Sequence, residues 1–133
     1  MGTSCAIGMK LADGSVKAIR CNFDGYTAGA GATLGFWYTQ QEYVEKLLEL
    51  GDLSSLGETI DDCVAYHRDR GEKLNPAVEF NSAEDFRRTG KAKMCADFLY
   101  LFEDGQWSTF GLRNINEWIK LNVITGQCEN SKG

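Results

Sequence analysis

CAIGMKLADGSVKAIRCN, residues 5–22, decides the fold class of this chain. Residues 5–11 form one β-prone run, and Val16 to Asn22 form a second. Between them stands Ala12-Asp13-Gly14-Ser15, whose Asp-Gly pair favours a tight hairpin turn. In the second run Val16, Ala18, Arg20 and Asn22 share one face, while Lys17, Ile19 and Cys21 share the other. A second hairpin follows the same logic near residue 104. Ala96 to Phe102 reads as a strand with Phe98, Tyr100 and Phe102 on one face, Asp104-Gly105 turns, and Gln106 to Phe110 returns.

The segments between the hairpins read as helices and loops. Gly29 to Tyr38 is expected to be helical, although four glycines within residues 25–35 cost about 1 kcal/mol each relative to alanine in an isolated helix. Small residues there let another backbone come close. Thr39-Gln40-Gln41-Glu42 has the form of a capping box, opening a helix to about Leu50 that buries Tyr43, Val44, Leu47, Leu48 and Leu50. Asp52 to Gly57 is a polar loop with two apolar anchors, and residues 63–67 read as a short strand. Arg68 to Glu72 is a charged turn, and Pro76 sits in a loop. Ser82 caps a short helix that Gly90 stops. Residues 115–124 fit helix or strand equally. This order predicts an α+β fold, an antiparallel sheet built from two hairpins with helices packed on one face.

Composition sets the limits on function. The 133 residues are 43% hydrophobic and 25% charged, the profile of one globular domain over 1–133 with a polar tail from Gln127 expected to fray. The formal net charge of −5 argues against direct binding to DNA, which depends on Lys and Arg neutralising phosphates. No run approaches the roughly 20 apolar residues of a membrane span, and Met1-Gly2-Thr3-Ser4 opens no signal peptide. A cytoplasmic protein is therefore expected. The five cysteines, at 5, 21, 63, 95 and 128, cannot all pair within the chain and form no CxxC. Cys5, Cys21, Cys63 and Cys95 read as small core residues, and Cys128 as exposed. With one histidine and no short Cys/His spacing, no metal site and no cofactor is expected.

Three motifs carry a resemblance: Cys21-Asn-Phe-Asp-Gly-Tyr26, Val44-Glu-Lys-Leu-Leu-Glu-Leu-Gly-Asp-Leu-Ser-Ser-Leu-Gly57 and Tyr66-His-Arg-Asp-Arg-Gly-Glu72. Together they resemble a family of small accessory proteins carried by bacteriophages and prophages, over roughly residues 4–110. The chain departs from the family at Thr27, where proline is frequent. The resemblance implies a protein that acts on the bacterial host, including by blocking its immune systems. It carries over no catalytic residue set.

The residues themselves nominate a few candidate sites. Tyr66-His67-Arg68-Asp69-Arg70 contains a His-Arg-Asp run, but a kinase's glycine-rich loop and strand lysine are missing. It reads either as a turn in which Arg68 and Arg70 pair with acids such as Asp61, Asp62 or Glu72, or as a recognition edge for phosphates and carboxylates. Gly29-Ala-Gly-Ala-Thr-Leu-Gly35 fails both nucleotide-loop templates, and close helix packing explains it. Asp24 and Tyr26 lie in a strand-end loop, a position equally suited to function or to a local turn. Phe36-Trp37-Tyr38 cannot all enter one core, so Trp37 and Tyr38 are candidates for a partner surface. Cys63 and His67, on one strand, would stand about 13 Å apart, too far to react.

The leading expectation is a binding protein that inhibits a host defence system, occluding a protein component or sequestering a nucleotide signal. Asp24, Tyr26, Trp37, Tyr38, His67, Arg68, Asp69 and Arg70 are its candidate contacts. One alternative is a small hydrolase or transferase using His67, Asp69 or Asp24. The other is a virion assembly accessory protein. The sequence leaves oligomeric state open, a homo-oligomer included.

Overall fold

A strand pair joined by a glycine turn organises the fold. The computed structural model describes residues 3–109. Strand β1 (Cys5–Lys10) pairs antiparallel with β2 (Val16–Cys21), setting Ile7 opposite Ile19 and Cys5 opposite Cys21. In the turn, the Asp13 carboxylate accepts from the Ser15 amide at 2.9 Å and from its hydroxyl at 2.6 Å. Gly14 takes φ +91°, a conformation that glycine adopts without steric cost.

After β2 the chain makes a π-helical turn, Thr27–Gly31, and runs directly into α1 (Ala32–Trp37). Helix α2 (Gln41–Glu49) follows, then β3 (Leu53–Ser55), β4 (Val64–Ala65) and the single-turn helix α3 (Tyr66–Arg70). Strand β5 (Val78–Phe80), helix α4 (Ala83–Met94) and the hairpin β6 (Phe98–Glu103) and β7 (Gln106–Thr109) complete the described residues. Their strands form one sheet in the order β4-β3-β2-β1-β6-β7, with β5 also pairing with β2.

The α+β class and both hairpins match the sequence reading, and the sheet is mostly antiparallel. Two pairings are parallel: β1 with β6, and β2 with β3. The helices divide between the two faces, where the sequence reading placed them on one. Cys5, Ile7, Ile19, Tyr100 and Phe102 meet Leu34, Tyr38, Val44 and Leu47 of the α1–α2 side. Ala6, Val16, Ala18, Leu99 and Leu101 meet Phe86 and Met94 of α4 on the opposite side. Small residues make room for α4: a Cβ on Gly8 would stand 3.1 Å from the Phe86 ring. A fully buried Phe86 contributes about 1.5–3 kcal/mol relative to an exposed one.

Several element ends differ from expectation for identifiable reasons. Helix α4 does begin at Ser82, whose hydroxyl accepts from the Asp85 amide at 3.0 Å. It runs through Gly90 to Met94, because Gly90 faces the sheet and Leu99 packs where its side chain would be. The stop is Cys95, in the left-handed conformation at φ 51°, and its side chain is exposed, not in the core. Helix α2 starts one residue late. Its N-cap is Gln40, with no side-chain cap bond, so the capping box at Thr39 does not form. Val44, Leu47 and Leu48 are buried as expected, but Tyr43 is 48% exposed. Residues 66–70 are helical where a strand and a turn were expected. Residues 115–124, the polar tail and Cys128 lie outside the described residues. Among those described, no helix is long and apolar enough to cross a membrane.

Candidate functional site

The aromatic run at the end of α1 splits between surface and core. Phe36 is 52% and Trp37 50% exposed, while Tyr38 is 1% exposed. Tyr38, a candidate contact in the sequence, is instead a buried tie. Its hydroxyl donates to the Gly57 carbonyl at 2.8 Å and lies 3.4 Å from the Cys63 sulfur. Its carbonyl accepts from the Trp107 indole at 2.8 Å. Burial raises the Tyr38 hydroxyl pKa above the usual tyrosine range, reinforced by its bond to Cys63. Fixing Tyr38 inward turns the two preceding aromatics outward. Exposed Tyr43 lies at the start of the next helix, so three large aromatic side chains within eight residues face solvent.

The loop after β2 is shaped by close backbone approaches. Asp24 has φ 60°, and its carbonyl accepts from the Ala30 amide at 2.8 Å. Tyr26 precedes the π-helical turn, and its carbonyl accepts from the Gly29 amide at 2.9 Å. A Cβ on Gly29 would stand 2.4 Å from the Asp24 oxygen, which is why glycine occupies that position. Asp24 and Tyr26, with Phe23, Thr33 and Leu56, line a depression of about 140 Å³. Gly31 packs against the Tyr100 ring, the close helix packing that its sequence suggested.

Helix α3 holds the remaining four candidates, all exposed. Arg68 makes a two-pronged pair with its neighbour Asp69, Nε to Oδ1 and Nη2 to Oδ2, both at 2.9 Å. The same guanidinium donates to the carbonyls of Ile60 (3.0 Å) and Cys63 (2.8 Å). Asp69 also accepts from the Ala65 amide at 2.7 Å, locking α3 to β4. Each partner favours the other's charged form. Arg68 holds the Asp69 carboxyl below the usual carboxylate range, and Asp69 raises the Arg68 guanidinium. Arg68 thus closes a turn, though its acid is Asp69 and not Asp61, Asp62 or Glu72. His67 Nδ1 meets the Glu72 carbonyl at 2.8 Å, which requires the Nδ1–H form. Arg70 lies over the Tyr66 ring, 5.2 Å from its centre, and faces outward.

This geometry limits the chemistry of α3. Asp69 is committed to Arg68 and to a backbone amide, and His67 to a backbone carbonyl. Neither touches the other as an acid–base pair would. Cys63 is buried, and its sulfur accepts from the Gly57 amide at 3.3 Å. Because α3 is helical, the strand-rise separation expected for Cys63 and His67 does not apply. Among the described residues no three His, Cys, Asp or Glu side chains converge on a metal position.

A larger depression, about 580 Å³, opens where the end of α4 faces the loop before β5. Arg20, Lys93, Asn75, Val78 and Met94 line it, with Asp52 and Cys95. The sequence reading did not nominate these residues. They come from separate segments, and an isolated Arg or Lys in a strand or helix gives no local signal. A polar chain connects this groove to α3: Arg20 Nη1 donates to Asn22 Oδ1, and Asn22 Nδ2 donates to the Tyr66 hydroxyl. Comparison of the chain with protein-family models, with curated proteins and with solved structures finds no match in any of the three.

Proposed function

We propose that this is a phage-encoded binding protein that inhibits a bacterial host defence system in the cytoplasm by occluding one of its protein components. The observation that carries the reading is the outward pair Phe36–Trp37, each about half exposed and fixed by the buried Tyr38 beside it. Rigid exposed aromatics are what protein interfaces use as anchors. The resemblance of the three sequence motifs to phage accessory proteins supports the setting. The test is plating of phage on hosts carrying single defence systems, with this protein supplied from a plasmid. The protein restores plating against one system, and Trp37→Ala abolishes the restoration without changing the melting temperature. Full restoration by a folded Phe36→Ala/Trp37→Ala double variant refutes the reading.

Capture of a nucleotide signal is the second reading. What favours it is Arg70 over the Tyr66 ring on an exposed turn, where a base or phosphate has access. Protection of the chain against heat by cyclic nucleotides, lost in Arg70→Ala, tests it.

A further inference from the structure

We infer that the groove between the end of α4 and the loop before β5 binds a small organic phosphate. Arg20 and Lys93 would take the phosphate, and Val78 would cover the body of the ligand. This extends the nucleotide-capture reading to a defined site, and rests on that reading only for the ligand's general class. Its volume, about 580 Å³, falls within the range of small-molecule pockets.

Two cations from different elements line this one depression, in a chain whose net charge is −5. Among the described residues neither Arg20 nor Lys93 is in an ion pair. Lys93 Nζ stands 5.2 Å from the centre of the Phe80 ring, a contact that leaves its charge uncompensated. Arg20 is held in place by donating to two neutral oxygens: Nε to the Cys95 carbonyl at 3.3 Å, and Nη1 to Asn22. Those bonds fix the guanidinium plane and leave Nη2 for a ligand. A side chain fixed in advance loses little freedom when a ligand binds.

The donor set selects the ligand. Among the described residues Asp52 is the one carboxylate lining the groove, and its Oδ1 accepts from the Arg20 backbone amide at 3.0 Å. The Asp52 carboxylate is already engaged by that amide, and the free Arg20 Nη2, the Lys93 ammonium and the Asn75 amide offer separate donors for the several oxygens of a phosphate monoester. Arg forks and Lys point charges are the usual phosphate partners. Val78, 42% exposed, supplies apolar surface for a flat body such as a nucleobase, with the buried Met94 beneath the groove floor.

Calorimetric titration of the full chain with adenosine monophosphate, inorganic phosphate and adenosine tests this. Adenosine monophosphate binds, inorganic phosphate competes with it, and adenosine binds at least about ten-fold more weakly. Lys93→Gln, an exposed change in the last turn of α4, weakens adenosine monophosphate by roughly ten-fold at unchanged melting temperature. Arg20→Gln weakens it at least as much. Absence of heat with both phosphates at millimolar concentration overturns the proposal. So does adenosine binding as tightly as its phosphate. Binding that survives Lys93→Gln and Arg20→Gln but is lost in Arg70→Ala overturns the groove and leaves capture at Tyr66–Arg70 standing.

Discussion

The Tyr38 hydroxyl joins the Gly57 carbonyl, at 2.8 Å, to the Cys63 sulfur, at 3.4 Å, inside the core under α1. One phenol therefore fixes the end of α1 against the 57–63 loop. Tyr38→Phe keeps the ring and removes both bonds, leaving the part-buried Gly57 carbonyl with only the weak Cys63 thiol contact at 3.9 Å. The expected cost is about 1–3 kcal/mol, read from the urea midpoint at constant slope. Partner binding at Phe36 and Trp37 should persist in the folded fraction, because the ring still directs them outward.

Trp37→Ala should separate binding from stability in the opposite sense. Its side chain is half exposed and makes no hydrogen bond among the described residues. Removal should change stability by less than about 1 kcal/mol, within the range of surface substitutions that break no buried contact. Under the proposed function, binding to the protein partner should weaken by about 2 kcal/mol or more. Paired thermal melts and affinity measurements of wild type and variant check both halves.

These two neighbours show what the sequence could and could not tell. Period-two alternation made both hairpins legible, down to the shared face of Phe98, Tyr100 and Phe102. Alternation says nothing of strand direction, so the parallel pairing of β1 with β6 was not readable. Three consecutive aromatics had to diverge. Which one turned inward depended on the phase of α1, which the preceding π-helical turn resets without a residue-level signal. The helix on the second face left a trace in the small residues Ala6, Gly8 and Ala18, which make room for Phe86, but small size alone does not name what fills the space. The α3 candidates are contiguous in sequence, but the pairing of Arg68 with its own neighbour Asp69 was not readable, because adjacent side chains on a helix do not ordinarily face each other. Arg20 and Lys93 were illegible as a pair, since only the tertiary fold brings them to one groove.

Gly25→Ala should be among the most damaging single-methyl additions. The Gly25 amide donates to the Thr3 carbonyl at 2.7 Å, and its own carbonyl accepts from the Tyr100 hydroxyl at 2.7 Å. A Cβ there would stand 2.6–2.8 Å from backbone atoms of Ser4 and Cys5, which cannot rotate away. The expected loss is about 1–3 kcal/mol or more from overpacking. Gly14→Ala provides the contrast: its Cβ meets nothing within 4 Å, and only its φ of +91° opposes the change. Denaturant melts of the two variants side by side test whether crowding by backbone outweighs strain at an open turn.

The Arg68–Asp69 pair makes a prediction about acid. Arg68, and next the Ala65 amide, lower the Asp69 pKa in the folded chain from the ordinary aspartate value of 3.8. Between the lowered folded value and 3.8 the unfolded chain binds more protons, so folding stability rises with pH there. The contribution is complete above 3.8 and is lost as pH falls through the folded value. Asp69 is exposed, so solvent screens the pair and the effect on global stability is small. It should be local instead. Amide exchange at Ala65 and in α3 of the wild type should accelerate, beyond the intrinsic pH dependence of exchange, as pH falls below 3.8 through the lowered folded value and Asp69 is protonated. In Asp69→Asn the carboxylate is absent, and α3 should open to the same degree at pH 7 as at pH 3. Equal protection of Ala65 in wild type and Asp69→Asn at pH 7 would show that the carboxylate does not hold this turn.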